Sequence, residues 1–236
     1  MRKGGDELNI IKFEVTTSTN TYARENAGNL PLPSLIIADK QTAGRGRRGN
    51  SFYSPENTGL YMTLLFEAIT PIPLITPAAA VAVCTVVEKN FGISPKIKWV
   101  NDVFLDGKKI CGILSECFTV NGKTLIALGI GINLTTSVFP ENLPNAGSLG
   151  INCDKEMLAK DISEFIIEYS ANPDEESILK QYRSRLFVIG RRIEFFENNI
   201  CYSATVKDIN RQCNLIVELP DKTEKVLSSG EISIIL

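Results

Sequence analysis

Histidine does not occur once in the 236 residues. That absence removes imidazole general bases, histidine-containing nucleophile triads and histidine-ligated metals. Any chemistry must run on lysine, arginine, carboxylates, amides, hydroxyls or backbone groups. Mg2+ held through carboxylates and substrate phosphates stays open. A basic excess is also missing: 25 Lys and Arg stand against 27 Asp and Glu, a formal charge of −2. Broad electrostatic capture of nucleic acid is therefore not expected. No apolar run is long enough to span a bilayer, and the longest, near Ala78–Val87, ends at Glu88 and Lys89. The N-terminal MRKGGDELNIIKFEV lacks the apolar segment and cleavage pattern of a signal peptide. Six cysteines include no C-x-x-C pair, which predicts reduced, mostly buried thiols rather than disulfides or zinc ligands. The expectation is a soluble, cytoplasmic protein of one large domain, or one large and one small.

What is present begins with QTAGRGRRGNSFYSP, residues 41–55. Arg45, Arg47 and Arg48 alternate with Gly44, Gly46 and Gly49, and no acidic residue follows until Glu56. Glycine lets the backbone bend and expose its N–H groups, while each guanidinium grips phosphate or carboxylate oxygens in pairs. Such a loop suits an anionic small molecule such as a nucleotide. A solvated surface loop with a chance charge run is the competing reading. The segment formally matches G-x-G-x-x-G, but Asn50–Pro55 does not open a helix, so a dinucleotide fold is rejected. Gly122-Lys123-Thr124 lacks the earlier glycine of a P-loop, and Gly129-Ile130-Gly131 lacks a third glycine; both read as strand and turn. The connection from Gln41 to Gly59 is long enough to be a functional loop, mobile when empty and ordered by ligand.

Along the chain, Asn9–Val15, Leu35–Asp39 and Leu60–Phe66 read as strands, with Ser18-Thr19-Asn20 placed to cap a short helix over TYARENA. Thr76-Pro77 opens an apolar helix that Gly92 stops. Two hairpins follow: Val103–Leu105 turns at Asp106-Gly107 into Lys109–Val120, and Asn121-Gly122 turns that strand into Thr124–Asn133. Two helices carry apolar faces, Met157-Leu158, Ile162, Phe165-Ile166 and Tyr169 on one, Ile178-Leu179, Tyr182 and Leu186 on the other. From about Ile189, five short strands separated by Asn-Asn, Asn-Arg-Gln, Asp-Lys and Ser-Gly turns suggest a small barrel. Lys98-Trp99-Val100-Asn101-Asp102 places the sole tryptophan beside an amide and a carboxylate. It reads either as a turn or as an orienting amide plus an Asp102 that holds Mg2+ or a cationic amine. Lys109 and Glu116 are the polar exceptions of an otherwise apolar strand.

Taken together, Ser18-Thr19-Asn20, QTAGRGRRG (41–49), KWVNDVFLDGKKICGILSE (98–116) and GIGINL (129–134), in this order and spacing, resemble biotin–protein ligases, and VLSSGEISI resembles the end of that family's small barrel. The resemblance implies an α+β fold: a mixed, largely antiparallel sheet with packed helices, class II synthetase-like, over 1–187, then an SH3-like β-barrel over 188–236. It implies ATP and biotin as substrates with Mg2+, formation of biotinyl-5′-AMP, and transfer to a lysine of a biotin carboxyl carrier protein. It places Ser18, Thr19, Asn20, Gln41, Arg45, Gly46, Arg47, Lys109 and Gly112 at biotin. Arg47, Arg48, Phe52, Asn101 and Asn133 fall at the nucleotide, and Asp102 at Mg2+ or the incoming lysine. By the same resemblance, Arg47, Lys109 and Asp102 would carry the catalysis. Val100 stands where the family often has proline, Phe52 where tryptophan is common, and Cys213-Asn214 where a glycine-containing turn is usual. With the first strand near residue 9, no DNA-binding segment and no membrane partner are expected; a homodimer through the sheet edge is left open. The competing readings are a lipoate or octanoyl transferase of the same fold, and an RNA-binding module that uses the Arg/Gly loop.

Overall fold

The computed structural model describes residues 7–68, 72, 74–198, 200–228 and 232–234. Its centre is a sheet of seven strands: β1 (Asn9–Thr16), β2 (Ser34–Gln41), β3 (Gly59–Glu67), β4 (Lys96–Lys98), β5 (Asp102–Leu105), β6 (Lys108–Val120) and β7 (Lys123–Asn133). The order across it is β1-β2-β3-β7-β6-β5-β4. β1 and β2 run parallel and every other neighbouring pair runs antiparallel. The Asp-Gly and Asn-Gly turns act as expected: Asp106 and Gly107, then Asn121 and Gly122, all adopt positive φ, the left-handed geometry of two-residue hairpins.

Period-two alternation sorts the side chains of this sheet. On one face Leu60, Met62, Leu64 and Phe66 of β3 and Ile126, Leu128, Ile130 and Ile132 of β7 enter the main core. That core is closed by helices α2 (Ile75–Phe91), α3 (Lys155–Ala171) and α4 (Glu175–Arg185). α2 is buried nearly all round, as its apolar run predicts. On the opposite face Ile36, Leu65, Leu125 and Ala127 pack beneath α1 (Thr19–Asn26). The same face continues along β3, β6 and β7 with Thr63, Gly112, Glu116, Gly129, Gly131 and Asn133, which fill little space or are polar. A trough runs there instead of a core.

Beyond α4 a second sheet forms from β8 (Arg192–Glu197), β9 (Ile200–Ile209), β10 (Leu215–Glu218), β11 (Glu224–Leu227) and β12 (Ile232–Ile234), in the order β11-β10-β9-β8-β12 and antiparallel throughout. Ile193, Phe195, Ala204, Val206, Leu215 and Val217 form its inner face. This is the α+β sheet-plus-small-barrel architecture read from the sequence. Asn199 of the Asn-Asn turn, Ser229-Gly230, Glu231 and the terminal residues 1–6 and 235–236 lie outside the described residues.

Several local expectations need correction. Met157 is 60% exposed, although Leu158, Ile162, Ile166 and Tyr169 of α3 are buried. It shares the solvent-facing side of the helix with Asp161 and Glu164, one step round from Leu158. Pro77 occupies the third position of α2, not the first, still within the turn whose N–H groups have no helical acceptor. Only Cys84, Cys111 and Cys213 are buried; Cys117 and Cys201 are exposed, Cys153 is half-buried, and all six are free thiols. The three-residue β4 was not anticipated, being too short to show a period.

Candidate active site

The segment from Gln41 to Gly59 is folded back on itself. Arg45 and Ser51 form a β-bridge, and a single 3-10 turn over Arg47–Gly49 crosses between them. Gly46 N–H donates to Asn50 O at 2.7 Å and Phe52 N–H to Gly44 O at 2.9 Å. Gly44 is required here, since a Cβ would lie 2.4 Å from Phe52 O. Arg48 takes φ +56, so the loop tip is bent sharply, and the residue is exposed at the cavity mouth. The Phe52 ring then lies across the sheet: a Cβ on Gly131 would come within 2.4 Å of it, and one on Gly112 within 3.1 Å. These two glycines are register partners on β7 and β6 and leave a flat floor for an aromatic ring.

A second wall comes from the start of α1. Ser18 caps the helix, its Oγ accepting from Thr21 N–H at 3.5 Å. Ser18 thus serves as the cap, and all three members of the trio face the cavity. Gln41 Oε1 accepts from Thr19 N–H (2.9 Å) and Thr19 Oγ1 (3.2 Å), while Gln41 Nε2 donates to Ser54 Oγ at 2.9 Å. Asn20 is buried over Gly129, where a Cβ would fall 2.1 Å from its Oδ1. Thr63 Oγ1 lies 2.6 Å from that oxygen, and Asn20 Nδ2 donates to Glu116 Oε2 at 3.0 Å. The result is a rigid patch of neutral donors and acceptors at one end of the trough.

Charge collects at the other end. Arg47 donates to Asn101 Oδ1 at 3.1 Å, and Asn101 is itself pinned by Nδ2–H to Ile113 O and by Ile113 N–H to its own carbonyl. The turn carrying Asn101 is held from behind. Trp99 Nε1–H donates to Cys213 O at 2.7 Å, and Tyr182 Oη–H to Val100 O at 3.0 Å. Burial pushes the Tyr182 phenol well above its ordinary range, so it remains a donor. The Trp99–Val100 peptide is cis. Lys109 Nζ stands 2.8 Å from Asp102 Oδ1. The two form a charge pair. Lys109 thus sets one cationic amine of the chain itself beside Asp102. Among the described residues no cluster of three or more acidic or cysteine side chains forms a metal cage.

One cavity of about 1080 Å³ unites these walls. Ser18, Thr19, Asn20, Gln41, Arg45, Gly46, Arg47, Arg48, Phe52, Asn101, Asp102, Lys109 and Gly112 all line it. Asn133 does not: it is buried behind the wall, donating to Gly147 O at 2.9 Å with its Oδ1 unpartnered. The cavity also reaches residues that the sequence reading did not assign, among them Gly129 and Gly131 of β7, Lys96, and Arg191, Ile232 and Ser233 of the second sheet. The glycines carry a signal, alternation within a buried strand, that becomes a site only once the register is known. The second-sheet residues carry none. A neutral hydrogen-bonding end, an aromatic over a glycine floor and a cationic end together suit an elongated ligand with an anionic terminus.

Residues 12–133 match the biotin/lipoate A/B protein ligase family and residues 188–234 the biotin protein ligase C terminal domain. The bifunctional ligase/repressor BirA of Bacillus subtilis is 39% identical over 141 residues, 57% of this chain and 43% of that protein. The chain thus spans about half or less of the length of the first curated relatives it matches. The biotin--[acetyl-CoA-carboxylase] ligase of Mycobacterium tuberculosis is 27% identical over 97% of this chain and 89% of its own. A biotin protein ligase from Aquifex aeolicus, solved with biotin and ATP, shares the fold with a TM-score of 0.79 at 24% identity, covering 96% of this chain and 98% of that one.

Proposed function

The chain belongs to the biotin/lipoate A/B protein ligase family, and from that premise we propose that it is an ATP-dependent biotin–protein ligase. A biotin carboxylate oxygen attacks the α-phosphorus of ATP, forming biotinyl-5′-AMP and releasing pyrophosphate. The ε-amine of a lysine on a carboxyl carrier domain then attacks the acyl carbon, AMP leaves, and the amine loses a proton. The observation that carries this reading is the polarity of the single trough. Thr19, Asn20 and Gln41 offer neutral partners at one end, and Arg47 and Lys109 offer charge at the other.

The residues suit the chemistry. Two anions must meet in the first step, and cations held in place before they meet reduce the repulsion and stabilise the charge developing at phosphorus. Lys109 bridges the reacting carboxylate and α-phosphate, and Arg47, steadied by Asn101, contacts the same oxygens. No enzyme nucleophile is needed, which is consistent with a chain without histidine. Ser18, Thr19, Asn20 and Gln41 take the biotin head group with Arg45 and Gly46 closing beside it, and Gly112 borders the tail. Phe52, Arg48, Asn101 and Asn133 serve the nucleotide, Asn133 by holding the Gly147 carbonyl from behind the wall. Asp102 would meet Mg2+ carried mainly by ATP phosphates and water by exchanging its Lys109 contact, and the ion would neutralise phosphate charge. Residues 1–187 form the catalytic domain and 188–236 the barrel, a division supported by the two separate sheets.

The test is pyrophosphate release with ATP and biotin, followed by transfer to a carrier domain, with lipoate and octanoate as alternative acids. Biotin-dependent release and a biotinylated lysine are expected. Release driven by lipoate or octanoate and not by biotin would move the chain to the other branch of its family.

A further inference from the structure

Glu116 is an acidic residue on the trough face of β6, its side chain only 17% exposed and set behind the cavity wall. It collects donors from two separate elements. Arg45, from the Arg/Gly loop, grips both carboxylate oxygens, NH1 to Oε2 at 3.0 Å and NH2 to Oε1 at 2.8 Å. Asn20, from the first turn of α1, donates to Oε2 at 3.0 Å. Arg24, further along that helix, lies 4.0 Å from Oε1. One carboxylate on the sheet thus ties the loop and α1 together at this end of the trough.

Two consequences follow. The Arg45 charge is neutralised by a two-pronged ion pair, so within the loop Arg47 and Arg48 are left to attract anions. The Asn20 amide is also held at both ends, its Nδ2 by Glu116 and its Oδ1 against Thr63, which fixes which face of the amide a ligand meets. We propose that Glu116 is a positioning residue: it sets the register of the loop and of α1 on β6, and through Arg45 and Asn20 it controls affinity for the neutral head group of the acyl substrate, not for the nucleotide. This rests on the ligase reading above.

The experiment compares full-length wild type, Glu116→Gln, Glu116→Ala, Arg45→Ala and the Glu116→Gln/Arg45→Ala double variant. KM for biotin and for ATP are measured separately by pyrophosphate exchange, with thermal unfolding alongside. Glu116→Gln keeps an acceptor for Asn20 and loses only the charge that holds Arg45. It should raise KM for biotin about tenfold, the scale of a lost charged hydrogen bond, and leave KM for ATP within about twofold. Arg45→Ala breaks the same pair from its exposed side without threatening the fold, and should match it. The double variant should be no worse than the worse single, because both remove one shared interaction. Glu116→Ala, which also releases Asn20, should exceed Glu116→Gln. KM for biotin unchanged in Arg45→Ala and Glu116→Gln, equal rises for biotin and ATP, or additive effects in the double variant each overturn the proposal while wild-type turnover leaves the ligase reading standing. A wild type with no biotin-dependent exchange removes both.

Discussion

Lys109 and Asp102 form a contact that does two things at once. The carboxylate holds the ammonium at the cavity, and the remaining N–H donors of the ammonium are left for an incoming anion. Lys109→Ala should therefore slow adenylate formation by about 100-fold or more, the scale of losing one pre-aligned donor to developing charge. Single-turnover formation of biotinyl-AMP measures this, and a wild-type rate would end the assignment. The glycine floor makes a second prediction. Gly131 has no special φ, so alanine costs little backbone strain there, yet its Cβ would press on the Phe52 ring. Gly131→Ala should fold with near wild-type stability and bind its ligands more weakly. Gly122→Ala, at φ +76 with open space around it and away from the cavity, should do the reverse, losing about 1 kcal/mol and sparing binding. Denaturant unfolding beside ligand titration separates the two. Legibility at this scale was uneven. Arg45, Arg47 and Lys109 stand out because charge among glycines or in an apolar strand is conspicuous. Glu116 was visible as a polar exception, but its partners are 71 and 96 residues away, and nothing local names them. Gly129 and Gly131 read as ordinary strand residues until pairing put them on the floor of the cavity.

Elements were easier to read where a turn or a cap carries its own chemistry. The Asp-Gly and Asn-Gly hairpins, the apolar α2 with its Gly92 stop, and Ser18 before α1 all express local backbone preferences that tertiary packing does not overrule. The failures differ in cause: β4 is too short to show a period of its own, while Met157 falls on the solvent-facing side that its own helical spacing shares with Asp161 and Glu164. The α3 start shows a cap at full strength: Asp154 Oδ1 accepts from Glu156 N–H at 2.9 Å and Met157 N–H at 3.0 Å. Asp154→Ala should cost about 1 kcal/mol in urea unfolding and leave activity unchanged, since α3 packs on the face of the sheet away from the trough. A loss of activity at full stability would mean that the two faces are coupled more tightly than the packing shows.

At the scale of the whole molecule, the seam between the seven-stranded sheet and the second sheet supports the active-site turn. Trp99, only 4% exposed, sends its indole N–H to the carbonyl of Cys213, a residue at φ +58. Phe187 N–H to Ile97 O and the Arg183–Asp208 pair close the same seam, and the cavity opens along it to Arg191 and Ser233. Trp99→Phe keeps most of the apolar bulk but leaves a buried carbonyl without its donor, at a cost of about 1–3 kcal/mol. The Cys213 thiol reports where that cost falls. Burial pushes it up to about 12 from an ordinary thiol value, so near pH 8 it is protonated as well as shielded and should resist alkylation. If the seam is what holds that turn, Trp99→Phe should speed iodoacetamide labelling of Cys213, mapped by mass spectrometry. Cys84 and Cys111, buried in the main core, should stay protected, and exposed Cys117 and Cys201 should label at their wild-type rates. A Cys213 that labels as fast in the wild type as Cys201 would show that the indole contact is not closing the seam. Labelling of Cys84 and Cys111 in step with Cys213 would show instead that the substitution opens the core as a whole, and the active-site turn would then owe its placement to global stability and not to the barrel behind it.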